Sequence, residues 1–249
     1  MFLYVANWKM NFPFNKAVHF GKYNYDGFLR IHNLPQKKII LCTEFTQLKS
    51  LCDIFEKTYI DIGAQDCSSF TSGSYTGQVS AESLQNIGCN YCIVGHSEKR
   101  EYDCETNEEV ALKVARVLEV EITPILCVGE KKEQHAAAKV QDVLKEQLEP
   151  VFKIIKEMEM IRPRICIAYE PVWSIGTGVV PPKEYIEAVF KFIIDLCKKN
   201  APNVEILLLY GGSIDESTAA FIKSVRHLNG FLIGGASLDF QKFEKIVKL

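Results

Sequence analysis

At 249 residues, 47% of them hydrophobic and 24% charged, the chain has the profile of a soluble globular protein large enough for an α/β barrel. A net charge of −2 implies no polyanion-binding surface, so nucleic acid is not expected as a partner. The first apolar run, Phe2–Ala6, is too short for a signal peptide or a membrane span, so no membrane partner is expected either.

Short apolar runs alternate with longer helical patterns from end to end. Phe2–Ala6 is followed by a helical stretch over Asn15–Ile31, Ile39–Cys42 by Phe45–Lys57, and Ile60–Ala64 by a long loop and a short helix at Ala81–Ile87. Tyr91–Val94 leads to Thr106–Leu118, and Ile122–Cys127 to a helical region over Gln134–Met158. That region is expected to break at Pro150, which lacks the donor a helix needs. Arg164–Ala168 leads to Lys183–Lys199, Ile206–Leu209 to Glu216–Lys223, and Phe231–Ile233 to Phe240–Val247.

The eight strand-like runs are continuously apolar rather than alternating, as strands covered on both faces should be. Repeated βα units call for a parallel sheet. Eight in this length fit a closed (β/α)8 barrel best, with an open doubly wound sheet as the second choice. No linker or low-complexity tract divides the chain, so residues 1–249 read as one domain.

Nine cysteines scattered through apolar segments suit thiols in a reducing cytoplasm better than a disulfide framework. Cys89-Asn90-Tyr91-Cys92 matches C-x-x-C, but no second pair stands at zinc-ribbon spacing and Cys92 sits in an apolar run. These two read as structural cysteines, and no metal site is expected.

In a parallel barrel, chemistry gathers at the C-terminal strand ends. Those positions hold Asn7-Trp8-Lys9, Gly95-His96-Ser97-Glu98, Gly129-Glu130, Glu170, Tyr210-Gly211-Gly212-Ser213 and Gly234-Gly235-Ala236-Ser237. The last two runs place Gly-Gly before a helix on neighbouring strands, where exposed N–H groups and a helix macrodipole favour an anion. No Walker-type Gly-Lys-Ser/Thr is present, so the anion reads as one phosphate on a small molecule, not a nucleotide.

His96, alone of the five histidines, stands at a strand end. If Ser97 begins a helix, its N-terminus disfavours the imidazolium and the ring stays neutral. Lys9 would face the barrel mouth, where a fixed cation stabilises a developing oxyanion. Pro171 holds Glu170 extended, and desolvation there would raise the carboxylate's basicity. A base, a neutral polariser, a cation and a phosphate clamp describe proton abstraction beside a carbonyl.

Over essentially its whole length the chain resembles the triosephosphate isomerase family. The matching motifs are Asn7-Trp8-Lys9-Met10-Asn11, Thr76-Gly77, Ile93 to Glu98, Cys127 to Glu130, Tyr169 to Gly178, Tyr210 to Ser213 and Gly234 to Leu238. The resemblance implies interconversion of dihydroxyacetone phosphate and glyceraldehyde 3-phosphate through an enediolate, without a metal or organic cofactor. It assigns Glu170 as base, His96 as neutral proton carrier, Lys9 and Asn7 as charge stabilisers, and Glu98 as the partner near Lys9. Gly176, Ser213, Gly234 and Gly235 would hold the phosphate through backbone N–H groups, and the loop from Pro171 to Val180 would close as a lid.

It also implies a homodimer, with the Ser69–Val79 loop beside the partner's active site and Thr76, Gly77 and Gln78 at the interface. Gln78 stands where the family usually has glutamate and Lys99 where it has arginine, which weakens a contact that can be charged. In the lid, Ser174 replaces a common alanine and Val179-Val180-Pro181 a common Lys-Thr-Ala hinge; activity is expected to survive both. Two other readings are a phosphorylated-sugar enzyme of another kind, such as an aldolase, and a catalytically inert phosphate-binding scaffold. A Schiff-base aldolase wants a lysine deep on a central strand, and none is there.

Overall fold

The computed structural model describes residues 1–249. Eight strands form its centre: β1 (Phe2–Asn7), β2 (Lys37–Thr43), β3 (Asp61–Ala64), β4 (Tyr91–Val94), β5 (Thr123–Val128), β6 (Arg164–Tyr169), β7 (Glu205–Tyr210) and β8 (Leu228–Ile233). They pair in parallel in chain order, and β8 returns to β1 with Leu3 opposite Gly230 and Ala6 opposite Ile233. The sheet is therefore closed, and the open-sheet alternative falls away.

The helices are α1 (Phe14–Tyr23), α2 (Tyr25–His32), α3 (Phe45–Phe55), α4 (Ala81–Asn86), α5 (Ser97–Tyr102), α6 (Asn107–Glu119), α7 (Lys132–Ala136), α8 (Val140–Glu157), α9 (Lys183–Asn200), α10 (Ala219–Lys223) and α11 (Phe240–Lys248). Strand side chains alternate between two apolar layers. Leu3, Val5, Ile93, Ile125, Cys166 and Leu232 belong to a small cluster that fills the barrel. Their neighbours Tyr4, Ala6, Val94, Leu126, Ile167 and Ile233 join the larger layer under the helices. Each fully buried Leu, Ile or Val contributes roughly 1.5–3 kcal/mol.

This alternation sets the site. Continuing the inward positions past the barrel filling leads from Leu3 and Val5 to Asn7, from Cys166 and Ala168 to Glu170, and from Leu232 to Gly234. Asn7 and Glu170 are thus the last inward-facing positions of apolar strands.

Three expectations need correction. The stretch Asn15–Ile31 is two helices, because the Asn24 side chain donates to Phe20 O at 2.9 Å and the backbone there leaves the helical region. The region after β5 does not break at Pro150, which lies inside α8. The carbonyl that Pro150 leaves unbonded belongs to exposed Glu146, which can turn it toward water. The break falls earlier, between α7 and α8, where Ala138 adopts φ +54°. The last helical turn before β8 is also shorter than expected, starting at Ala219 rather than Glu216.

Candidate active site

Trp8 extends β1 by one bond, its N–H donating to Cys42 O at 3.1 Å. The indole is buried, edge-on to Phe12 and Phe20. That anchor turns the next residue into an unusual backbone state: Lys9 has φ +49°, a left-handed conformation that a side chain normally avoids. The strain is held by the Lys9 N–H donating to Asn7 Oδ1 at 3.0 Å and by the Gln65 amide donating to Lys9 O at 3.1 Å. The result aims Lys9 Nζ back over the mouth, 2.6 Å from Glu98 Oε1.

Gly95, at φ +68°, turns the chain out of β4 so that His96 becomes the N-cap of α5. His96 Nδ1 accepts the Glu98 N–H at 3.2 Å, which leaves the ring proton on Nε2, 3.1 Å from Glu170 Oε1. An accepting Nδ1 suits the uncharged tautomer, although the lowering expected from the helix N-terminus is not the net direction here. Burial pushes the imidazole below its ordinary value, but the Glu170 carboxylate pulls it up further, so the net direction in this arrangement is upward. Lys9 opposes that pull and Glu98 adds a smaller one, so most of the upward influence lasts only while Glu170 stays beside the ring.

Glu170 is 2% exposed. Burial alone would raise its basicity, as the sequence suggests. That expectation is overturned for the ligand-free arrangement. The His96 Nε2–H, the Ser97 N–H at 3.2 Å and the Lys9 charge together outweigh burial and hold the carboxyl below the usual range. Glu170 thus rests as a stabilised carboxylate and becomes a strong base only by leaving these donors.

Asn7, Lys9, His96 and Glu170 line one cavity of about 440 Å³ together with Gly176, Ser213, Gly234 and Gly235. Glu98 is not on its wall but holds Lys9. The N–H groups of Gly176, Ser213 and Gly234 find no acceptor in the protein and are left to a ligand. A methyl at Gly176 or Gly235 would meet nothing within 4 Å, so both stand at open edges of the cavity. The cavity thus brings a cation, an imidazole and a carboxylate together with free backbone amides of the kind that bind an anion.

With this geometry in place, the comparisons with known proteins decide the family. The family model described as triosephosphate isomerase matches residues 2–249. The chain belongs to the triosephosphate isomerase family.

Among curated relatives, a triosephosphate isomerase of Wolbachia sp. subsp. Brugia malayi is 39% identical over 99% of this chain and 97% of its own. One from Aquifex aeolicus is 38% identical, covering 98% of each. The crystal structure of triosephosphate isomerase from Bartonella henselae superimposes with a TM-score of 0.83 at 32% identity, over 98% of this chain and 97% of the other.

The family motifs leave several neighbours unexplained. Glu130, fully buried at the end of β5, accepts from the hydroxyls of Tyr169 and Tyr185 and from Trp173 Nε1 at 2.7 Å. His135 stacks on the Trp173 ring at 4.2 Å. Burial and the carboxylate push the Tyr185 hydroxyl up to about 12, so it remains a donor. Arg100 clamps two strand ends, donating to Gly95 O at 2.8 Å and Cys127 O at 3.4 Å. Gly129 is locked by a reciprocal pair of bonds to the Gln147 amide, and a methyl there would stand 1.7 Å from Glu170 O. A Gly-Glu pair at a strand end was the available signal for Gly129 and Glu130; nothing local marked Arg100 or His135.

The loop after β6 contains a 3-10 turn at Val172–Ser174 and two left-handed glycines, Gly176 and Gly178. Ser213 Oγ donates to Ser174 O at 2.7 Å. The Ser174 hydroxyl is buried beside Tyr210 without reaching hydrogen-bond geometry. Val179 is exposed, its N–H donating to Thr177 Oγ1 at 3.1 Å.

Thr76, Gly77 and Gln78 lie away from the cavity on the exposed loop after β3. Gln78 Oε1 accepts from Ser68 Oγ at 2.5 Å, and Lys99 pairs with Asp66 at 3.1 Å and with Asp103. Both departures from the family pattern are therefore satisfied within their own chain.

Proposed function

We propose that this chain is a triosephosphate isomerase, interconverting dihydroxyacetone phosphate and D-glyceraldehyde 3-phosphate. The observation that carries the reading is the single cavity shared by Lys9, His96, Glu170 and the free amides after β7 and β8. A triose phosphate bound by the N–H groups of Gly176, Ser213, Gly234 and Gly235 spans from that ring to the three reactive side chains.

In this reading Glu170 exchanges its bonds to His96 and Ser97 for the substrate and takes a proton from the carbon beside the carbonyl. The electron pair moves to the carbonyl oxygen, giving an enediolate. His96 donates its Nε2 proton to that oxygen and receives one from the neighbouring hydroxyl. Glu170 returns its proton to the adjacent carbon. Lys9 and Asn7 stabilise the negative charge, and Glu98 keeps Lys9 in place. Closing the Pro171–Val180 loop as a lid excludes water and strengthens each of these interactions.

The same reading includes a homodimer. Phe70 and Tyr75, both about two-fifths exposed, stack face to face at 3.7 Å near the tip of the loop that carries Thr76. A rigid aromatic pair on a projecting loop suits insertion into a second copy. A reducing compartment such as the cytoplasm suits nine unbridged cysteines.

The test is a coupled triose phosphate assay on the wild type beside Glu170→Gln. Loss of several orders of magnitude in turnover with binding of a phosphate-bearing analogue retained supports the assignment. Equal turnover in the two proteins removes Glu170 from the base role.

A further inference from the structure

His135 stands on α7, the short helix after β5, and its ring lies on the indole of Trp173 in the lid, with centroids 4.2 Å apart and planes 24° from parallel. Its Nδ1 is 3.1 Å from the Tyr185 hydroxyl on α9 and 3.7 Å from Glu130 Oε1. The side chain is 37% exposed, so the ring exchanges protons with solvent while the lid covers one face. None of these contacts enters the proton transfers assigned to Glu170 and His96.

The hydrogen bonds decide which nitrogen carries the first proton. Glu130 accepts from Tyr169, Trp173 and Tyr185, and burial beside that carboxylate keeps the Tyr185 hydroxyl protonated. The single Tyr185 proton is committed to Glu130, so the bond to His135 runs from Nδ1–H to the phenol oxygen. Nε2 is then the nitrogen that takes up a second proton as the pH falls, and histidine is the side chain that changes charge between about pH 5 and 8. The imidazolium would lie over the indole face and beside the Glu130 carboxylate, and both attract it. Glu130 is the one carboxylate paired with the ring. Asp142 on α8, Glu184 on α9, and Lys131, Lys132, Glu133 and Lys139 of its own segment are all exposed and make no bond to it.

Trp173 and Gly176 belong to one tied segment. The Ser174 N–H donates to Pro171 O at 2.8 Å, the Ile175 N–H to Val172 O at 3.3 Å and the Thr177 N–H to Ser174 O at 3.3 Å. Bringing the Gly176 N–H onto a phosphate therefore shifts Trp173 against Glu130 and His135, which stay with the barrel and α7. A group that holds Trp173 in place holds the lid open, and a cation over the indole holds it harder than a neutral ring.

We propose that His135 is a positioning residue for the isomerase lid, holding Trp173 in the open arrangement more strongly as the imidazolium than as the neutral imidazole. Acid thus weakens closure through a group that never touches the substrate, and closure favours the uncharged ring in return. This latch rests on the isomerase reading of the cavity.

The experiment uses 2-phosphoglycolate, a carboxylate with one phosphate that mimics the enediolate, and measures its inhibition constant for the wild type and His135→Phe at about pH 8 and about pH 5.5. Phenylalanine keeps a ring on Trp173 and cannot be charged, while the titrations of the ligand and of Glu170 cancel between the two proteins. Relative to the variant, the wild type should bind at least about threefold more weakly at the lower pH than at the higher. A ratio that does not change with pH, as a merely structural ring would give, overturns the proposal. The wild type alone also decides by NMR. The titration midpoint of the His135 ring should move to lower pH when 2-phosphoglycolate binds, against the direction in which the ligand's own negative charge pushes it. A midpoint that stays or rises overturns the proposal even if the variant fails to fold. A coupled assay at about pH 8 separates the two readings. Turnover with an unmoved midpoint sinks the latch alone, whereas binding without turnover sinks the isomerase assignment and leaves the midpoint to decide the latch. Protein that neither turns over nor binds the ligand overturns both.

Discussion

Trp173 Nε1 donates to Glu130 Oε1 at 2.7 Å, tying an aromatic of the lid to a carboxylate at the end of β5. Because Glu130 is fully buried, this bond is charge-assisted and shielded from water. It belongs to the arrangement in which a methyl at Gly176 would meet nothing within 4 Å, so the loop is not packed down at that edge of the cavity and the bond favours this open form.

Trp173→Phe keeps the ring and removes the donor. A bond to a charged group contributes about 1.5–3 kcal/mol, so the open form loses ground by roughly an order of magnitude or more. A phosphate-bearing inhibitor that requires the closed lid should bind at least about tenfold tighter. An unchanged inhibition constant would show that this bond does not bias the lid.

Glu170 and His96 set the acid limit of the free protein. The folded pKa of Glu170 lies below its ordinary value, so its ionised contacts add stability above the unfolded carboxylate range, lost as pH falls through the folded pKa. His96→Asn removes the main group opposing burial, so the Glu170 pKa should rise. The acid limb of kcat/KM should then move to higher pH even though turnover is much reduced. A limb that stays in place would mean that Ser97 and Lys9 hold the carboxylate without help.

Much of this was legible in the chain. Eight continuously apolar runs dictate buried parallel strands, and inward alternation carries Asn7 and Glu170 to the mouth. Strand-end residue types were enough to gather Lys9, His96 and the glycine turns. What escaped depends on partners distant in sequence. The resting basicity of Glu170 is decided by His96 and Ser97, more than seventy positions away. Glu130 becomes a lid anchor only because Tyr169, Trp173 and Tyr185 converge on it. Pro150 was misjudged because a helix tolerates the lost bond where the freed carbonyl meets solvent.

Two glycines separate fold from function. Gly129→Ala places a methyl 1.7 Å from Glu170 O, which must displace the backbone of the base itself. It should lower both Tm and kcat. Gly235→Ala meets nothing within 4 Å and should leave Tm unchanged, yet its methyl crowds the phosphate amides, so KM should rise about tenfold. Normal melting and kinetics for Gly129→Ala would be incompatible with the close approach of β5 to β6.

Lys9 is strained by its own position. Its left-handed backbone at φ +49° costs on the order of 1 kcal/mol for a residue with a side chain and little for glycine. Lys9→Gly and Lys9→Ala both lose the ammonium and the bond to Glu98, so both should be nearly inactive. They differ in backbone strain and, in the opposite sense, in the extra freedom of unfolded glycine, and the glycine variant should still be the more stable by about 1 kcal/mol in urea unfolding. An alanine variant more stable than the glycine one would mean that the Asn7 and Gln65 bonds impose no strain, and that Lys9 is aimed over the mouth at no cost to the fold.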